Sequence, residues 1–275
     1  MNNIPKILFL FWDGSSMSYL QTLTIISFHR LNPDWKIIVY LFKQQYDELG
    51  ANTFVPEYTG EDCWQCLDGM DYIQFEEIDL MDYNIDTTSH GIQISDRLRI
   101  QKLYEHGGMY SDFDVLWLKP MSEFHNIDCM GNVDDFEATA SLHDTISGFH
   151  SISNFIAKPQ SQYFLSILRE QVKKKPPFRH QAFGADVFNT LYPTAASILN
   201  KFPKVLLLNY ETFFPYDLEK LDSLYKKTDL SSLENKNVMA IHWFNGHELS
   251  KEYINEGSYR TPCSMTTILK NLNLI

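Results

Sequence analysis

Apolar positions fall into short continuous runs separated by segments with helical spacing, and their order predicts the architecture. The first run, "IPKILFLFW" from Ile4 to Trp12, reads as a strand buried on both faces, and Asp13-Gly14 ends it. Tyr19 to Leu31 has helix-like spacing and stops before Asn32-Pro33, after which "WKIIVYLF" (35–42) reads as a second strand. Strand, helix and strand in that order predict a parallel sheet. Residues 43–72 are mixed and turn-rich, and "YIQFEEI" (72–78) is a weaker strand candidate.

The segment 91–106 places Ile94, Leu98, Ile100, Leu103 and Tyr104 at helical intervals, and Gly107-Gly108 suits a helix C-cap. It leads into "GGMYSDFDVLWLKP" (107–120), an apolar strand carrying Asp112 and Asp114. Further on, Gln160 to Lys173 and Gln181 to Leu191 read as helices, Lys204 to Leu208 and Val238 to Trp243 as strands, and Met265 to Leu272 as a terminal helix. There is no internal repeat, low-complexity tract or linker, so residues 1–275 are expected to form a single domain.

Composition narrows the partners. The chain has 275 residues, 44% hydrophobic and 14% aromatic, enough for a substantial core. Its formal net charge of −12 argues against nucleic acid or an anionic membrane as the general partner, since both favour basic patches. An anionic ligand would need a metal or a local arginine as counter-charge. No apolar stretch is long enough for a transmembrane segment or a signal peptide, which gives the expectation of a soluble, cytoplasmic protein. Of Cys63, Cys66, Cys129 and Cys263 only the first two are close, and reduced thiols are the simpler reading of that lone C-x-x-C. The basic run Lys173 to Lys175 reads as a solvated helix end.

The candidate chemistry starts at the two aspartates. In an extended chain, residues two apart project to the same side about 7 Å from each other, so both carboxylates can address one spot. Such a pair suits a hard divalent cation, Mg²⁺ or Mn²⁺. An isolated D-x-D more often caps a strand or faces solvent. Here Gly-Gly before it and Leu-Lys-Pro after it set the acids at a strand end, where ligands of open α/β sheets gather. Asp96 and Arg99 lie three apart and share a helix face, for which an intrahelical ion pair is the ordinary explanation. Trp12, at the end of the first strand, can serve either core packing or a ligand platform. His242 ends a later strand.

These stretches resemble a known family. "SDRLRIQKLYEHGGMYSDFDVLWLKPM", together with the opening "IPKILFLFW" and "NPDW", is similar to the DXD-containing GT-A glycosyltransferases of the sugar-binding-region group, which includes yeast initiating mannosyltransferases, bacterial capsule enzymes and the large clostridial glucosylating toxins. The shared pattern is I-P-K-x-x-x-x-x-W-x-G, then S-D-x-x-R, then G-G-x-Y-x-D-x-D. The resemblance implies a GT-A fold, α/β with a Rossmann-like, mostly parallel mixed sheet flanked by helices. Residues 1–120 would form the nucleotide-sugar half, and 121–275 the acceptor side with a C-terminal metal ligand.

Residue roles implied by the resemblance follow by position. Asp114 would bind the metal directly, and Asp112 through water or by way of the nucleotide ribose, with Phe113 between them at the donor site. Trp12 would stack on the base and Phe11 would supply backbone contacts. Asp96 would hold donor-sugar hydroxyls and Arg99 the sugar or diphosphate; Ser95 belongs to the same motif. "AIHWFNG" makes His242 the late metal ligand, and an imidazole beside carboxylates shifts the preference from Mg²⁺ toward Mn²⁺. Gly246, His247 and Lys251 stand where relatives contact the diphosphate, although Gly246 is followed here by His-Glu rather than Ser-Trp. "ISNFIAKP" makes Asn154 a donor-site candidate. "FGADVFN" places Asp186 where an acid approaches the reacting sugar in several relatives, and an acid at a helix start explains it equally well.

The resulting expectation is metal-dependent transfer of a hexose or N-acetylhexosamine from a nucleotide-diphosphate sugar, UDP before GDP, to a glycan, lipid-linked or protein acceptor, with retention. Two rivals stand beside it. "DFDV" (112–115) also satisfies the nucleophile motif of haloacid-dehalogenase phosphohydrolases, with Asp112 as nucleophile, though that motif normally follows the first strand. A non-catalytic nucleotide-sugar-binding protein would keep the same ligands.

Overall fold

The opening apolar run is strand β1 (Ile7–Trp12), and it is buried on both faces. Phe9 and Phe11 join one hydrophobic cluster while Leu8, Leu10 and Trp12 join another on the opposite side, as a pleated strand with period two requires. The protein is described from a computed structural model covering residues 4–13, 16–42, 58–79, 91–143, 150–174, 181–255 and 261–275. Gly14, residues 43–57 of the turn-rich stretch and Lys175 lie outside the described residues.

After β1 come α1 (Tyr19–Leu31), β2 (Lys36–Phe42), β3 (Ile73–Ile78), α2 (Gly91–His106), β4 (Gly108–Ser111), β5 (Val115–Trp117) and β6 (Cys129–Met130). Next are β7 (Ala138–Leu142), β8 (His150–Ser151), β9 (Asn154–Ala157), α3 (Gln162–Gln171), α4 (Ala185–Leu191), α5 (Ala195–Leu199) and β10 (Val205–Asn209). The chain closes with α6 (Leu221–Tyr225), β11 (Ala240–His242), α7 (Glu248–Asn255) and α8 (Ser264–Asn271).

The main sheet has the order β3-β2-β1-β4-β9-β7-β10-β6, with β8 on β7. Strands β3, β2, β1 and β4 pair in parallel, β9 runs antiparallel between β4 and β7, and β7 and β10 are again parallel. The sheet is therefore mixed but mostly parallel, and the strands running the same way as β1 end on one margin. One face packs α2 and α3 with Ile94, Leu98, Leu103, Phe164 and Ile167; the other packs α1 with Phe28 and Trp35. A third cluster holds the C-terminal helices against Leu116, Ile241 and Trp243. Among the described residues no helix is long and apolar enough to cross a membrane.

Some expected boundaries shift for local reasons. Helix α3 starts at Gln162 rather than Gln160, because Gln160 takes a positive φ of 59° and Ser161 caps the helix by accepting from the Phe164 N–H. Residues 181–184 form a turn, so α4 begins only at Ala185. The short strands β7 and β9 lack the long apolar run that marks β1.

The expected single acidic strand is in fact two. Strand β4 ends at Ser111, residues 112–114 turn, and β5 leaves the main sheet to pair antiparallel with β11, with Val115 opposite His242 and Trp117 opposite Ala240. It is this turn, rather than an extended chain, that sets the relation of Asp112 to Asp114.

The Gly107-Gly108 pair makes β4 possible. Both glycines have positive φ, 66° and 94°, and a Cβ on Gly108 would fall 2.7 Å from the Ile7 carbonyl oxygen, while one on Gly107 would fall 2.6 Å from the Pro159 nitrogen. Neither obstruction is a movable side-chain end. Gly69 has φ 76° but open space around it. Gly69→Ala should therefore cost only the left-handed penalty of about 1–2 kcal/mol. Gly108→Ala should cost more than that, read as the difference between the two variants in urea-unfolding free energy; equal losses would show that the approach of β4 to β1 is not tight.

Candidate active site

The site is assembled where β4 ends, β5 begins and β11 returns. The pairing of Val115 with His242 brings Asp114 beside the imidazole, and the His242 Nε2 lies 3.1 Å from Asp114 Oδ1. The other Asp114 oxygen accepts from the Asn245 N–H at 2.9 Å, and the Asp114 carbonyl accepts from the Trp243 N–H at 2.9 Å. Reaching Asp114 in this way puts Phe244 at φ 55°, a left-handed conformation that a bulky residue adopts only where its surroundings enforce it. Asp112, Asp114 and His242 each offer one ligand atom, and these atoms lie within 4.8 Å of one another.

Helix α2 supplies the counter-charge. Arg99 Nη2 lies 3.1 Å from Asp112 Oδ1 and 3.1 Å from Asp96 Oδ1, with Arg99 and Asp96 almost fully buried. The guanidinium also donates to the Ser95 carbonyl at 3.3 Å, to Ser95 Oγ at 2.8 Å and to the Ile152 carbonyl. It rests 4.6 Å above the Tyr110 ring, whose hydroxyl meets Ser95 Oγ at 2.6 Å.

Three carboxylates in one cluster, Asp96 buried and Asp112 and Asp114 partly exposed, cannot ionise alike. Burial pushes Asp96 up to about 7, Arg99 pulling it down and Asp112 adding to the rise. Asp112 is also raised, chiefly by burial, against Arg99 and with help from Asp114. Burial acts on Asp114 in the same direction, but the His242 imidazole and the Asn245 N–H outweigh it and hold Asp114 below the usual carboxylate range.

Several buried acceptors near this cluster have no partner. Neither Asp96 oxygen makes a hydrogen bond despite the ion pair with Arg99, and Asn154 Oδ1 is likewise unsatisfied. Asn154 lies opposite Ser111 on β9, and its neighbour Ser153 accepts the Asp112 N–H at 3.0 Å, so the donor-site candidate sits directly beside the acidic turn. Gly184 closes the far side: a Cβ there would collide with the Asp96 carboxylate and lie 2.6 Å from Ile152 Cδ1. Gln171 ties the layers together, its Nε2 donating to the Asp96 carbonyl at 3.1 Å and to the Phe183 carbonyl at 2.6 Å.

The sequence reading thus meets the structure unevenly. Ser95, Asp96, Arg99, Asp112, Asp114, Asn154 and His242 come together. Trp12 is 7% exposed and packs edge-on against Phe113 at 5.1 Å, and Phe11 is buried on the opposite face of β1. Asp186 stands in the first turn of α4, two residues beyond Gly184. Gly246 is exposed, and His247 Nδ1 accepts the Leu249 N–H at the start of α7. Tyr110, the Ile152 carbonyl, Gln171 and Gly184 were not anticipated as site groups; Tyr110 carried a sequence signal as the tyrosine of G-G-x-Y-x-D-x-D, and Gly184 as the glycine of "FGADVFN". The Cys63-Cys66 pair remains two free thiols, and burial pushes Cys63 up to about 11, away from thiolate chemistry.

Comparison with known proteins agrees with this geometry. Residues 20–134 match the family described as "glycosyltransferase sugar-binding region containing DXD motif". Among solved structures, the PaToxG glycosyltransferase is similar at 14% identity over 73% of this chain and 70% of its own, with a TM-score of 0.50, which shows a shared fold. The galactosyltransferase LgtC, solved with donor and acceptor sugar analogues, is 16% identical over 96% of this chain and 100% of its own, with a TM-score of 0.46. Comparison with curated proteins gives no match. Over residues 20–134 this chain thus matches the DXD-containing glycosyltransferase sugar-binding region, and its fold is shared with the PaToxG glycosyltransferase.

Proposed function

We propose that the chain transfers a hexose or N-acetylhexosamine from a nucleotide-diphosphate sugar, a UDP-sugar before a GDP-sugar, to an acceptor hydroxyl with retention at the anomeric carbon. The observation that carries this reading is the convergence of Asp112, Asp114 and His242 within 4.8 Å in front of a buried arginine. Two carboxylates and an imidazole fit a divalent ion that accepts both oxygen and nitrogen, which favours Mn²⁺ over Mg²⁺. Bound there, the ion supplies electrostatic stabilisation of the departing diphosphate.

The chain's own residues divide the remaining work. Asp96 Oδ2, the oxygen away from the Arg99 ion pair, and Asn154 Oδ1 keep unsatisfied acceptor sites, each costing about 1–3 kcal/mol while unpaired. Sugar hydroxyls are the donors that relieve them. Arg99 is already engaged with Ser95, Ile152, Asp96 and Asp112, which supports a positioning role through those acids in place of direct diphosphate contact. Trp12 and Phe11 end the first strand at the side proposed for the nucleotide, and Gly246 and His247 border the diphosphate. Asp186 is the acid proposed to approach the reacting sugar from the Gly184 turn. In the transfer, the acceptor oxygen bonds to the anomeric carbon, the bond from that carbon to the diphosphate oxygen breaks, and the acceptor proton leaves with the diphosphate on the same face.

Asp114→Ala should abolish the thermal stabilisation by UDP that depends on added Mn²⁺ and should remove turnover of UDP-sugars; near-normal turnover in that variant would refute the assignment. A second variant tests the pocket itself. Arg99→Met should lower the urea-unfolding free energy by about 3–5 kcal/mol, because it leaves buried carboxylates without their counter-charge. Adding Asp96→Asn should recover part of that loss, and a double variant as unstable as Arg99→Met alone would show that the two side chains are not coupled.

A further inference from the structure

The aromatic rings around His242 continue past the acidic cluster. Phe214 and Phe244 lie 4.7 and 4.5 Å from the His242 ring, Tyr210 stacks on Phe214 at 4.4 Å with planes 9° apart, and His143 meets Tyr210 edge-on at 4.5 Å. His143 directly follows β7 and Tyr210 directly follows β10. Both strands run the same way as β1 and β4, so the row crosses the margin of the sheet on which the acidic turn also lies.

Exposure rises along the row. Phe214 is buried, Tyr210 and Phe244 are half-buried, and His143 is exposed. Phe214 belongs to the core and Tyr210 and Phe244 pack against its edge, while among the described residues neither the His143 ring nor the Tyr210 hydroxyl has a hydrogen-bond partner. The left-handed backbone at Phe244 holds its ring beside His242, a conformation kept against a steric cost. Aromatic planes with polar tips suit a ligand that has an apolar face and a hydroxylated rim, which is the surface of a sugar ring. The row contains no lysine or arginine, so it offers little to an anionic headgroup, and it has too few purely apolar members to hold a lipid chain.

We propose that Tyr210, Phe244 and His143 form a stacking platform for a saccharide acceptor, which makes the acceptor a sugar and not a protein side chain or a lipid headgroup. The proposal rests on the transferase reading above. It assigns the rings to binding, while the transferred bond remains the one already described.

The test supplies UDP-sugars and Mn²⁺ with a panel of methyl hexosides and methyl N-acetylhexosaminides, and separately with serine-, threonine- and tyrosine-containing peptides. Free sugar and glycoside product are quantified by mass spectrometry. Transfer to at least one glycoside is expected. Tyr210→Ala and His143→Ala should each lower the ratio of sugar transferred to sugar hydrolysed, Tyr210→Ala by on the order of ten-fold, equivalent to about 1.4 kcal/mol of acceptor binding. Tyr210→Phe should keep most of the ratio, since the ring is retained, and His143→Ala is at the surface and leaves the core untouched. Transfer to peptides alone, or an unchanged ratio in both alanine variants, would overturn the platform while leaving the transferase reading intact. Absence of any donor turnover in the unaltered protein would instead overturn the transferase reading, and the platform with it.

Discussion

Arg99 is the charge on which the site depends. The chain carries a net charge of −12, yet it gathers the buried Asp96 and the partly exposed Asp112 and Asp114 in one cluster, an arrangement that like-charge repulsion and desolvation resist. Arg99 lies within 3.1 Å of two of these acids and takes its other contacts from Ser95 and the Ile152 carbonyl, so one guanidinium links α2, the end of β4 and the loop before β9. A lysine could not do this. Its point charge lacks the planar fork that serves several oxygens at fixed angles. Asp114, the acid that Arg99 does not reach, is held by His242 and the Asn245 N–H instead.

The backbone around this charge is shaped by breaks in regular structure. Strand β4 enters between β1 and β9 through two glycines whose missing side chains leave room for the Ile7 carbonyl and the Pro159 nitrogen. It then stops after four residues, because Asp112 to Asp114 turn the chain out of the main sheet into its pairing with β11. That departure gives β11 its strand partner and sets His242 opposite Val115. Asp112 does follow a parallel strand, as the haloacid-dehalogenase reading requires, but the ion pair with Arg99 opposes its use as a free nucleophile.

What could be read in the sequence follows from the range over which each interaction acts. Strand β1, helix α1 and helix α2 were legible because burial and helical spacing are local properties of the chain, and Asp96, Arg99, Asp112 and Asp114 were legible because they sit close together in a motif. The break between β4 and β5 was not. It is decided by pairing with β11, more than a hundred residues away, and the apolar run Val115 to Trp117 looks the same in either sheet. Strands β7 and β9 were missed because their residues, such as Thr139, Ser141 and Asn154, are buried by neighbours rather than by their own hydrophobicity. Gln171 and the Ile152 carbonyl act through hydrogen bonds that leave no compositional trace.

The same distinction separates the two halves of the site. The family match ends at residue 134, whereas His242, Asn245, Gly184 and Gln171 all lie beyond it. Residues before that point present the acids and their arginine, which have to balance one another's charge in a single cluster. Residues after it close the cluster by packing, and packing tolerates many sequences so long as volume and polarity are kept. At β11, His242 is positioned by its register opposite Val115 and by the Phe214 and Phe244 rings, while the segment after it holds Asp114 through the Asn245 N–H. A backbone donor is indifferent to which side chain it carries, so position 245 can change its residue and still hold Asp114, whereas His242 and Gly184 act through the side chain they have or lack.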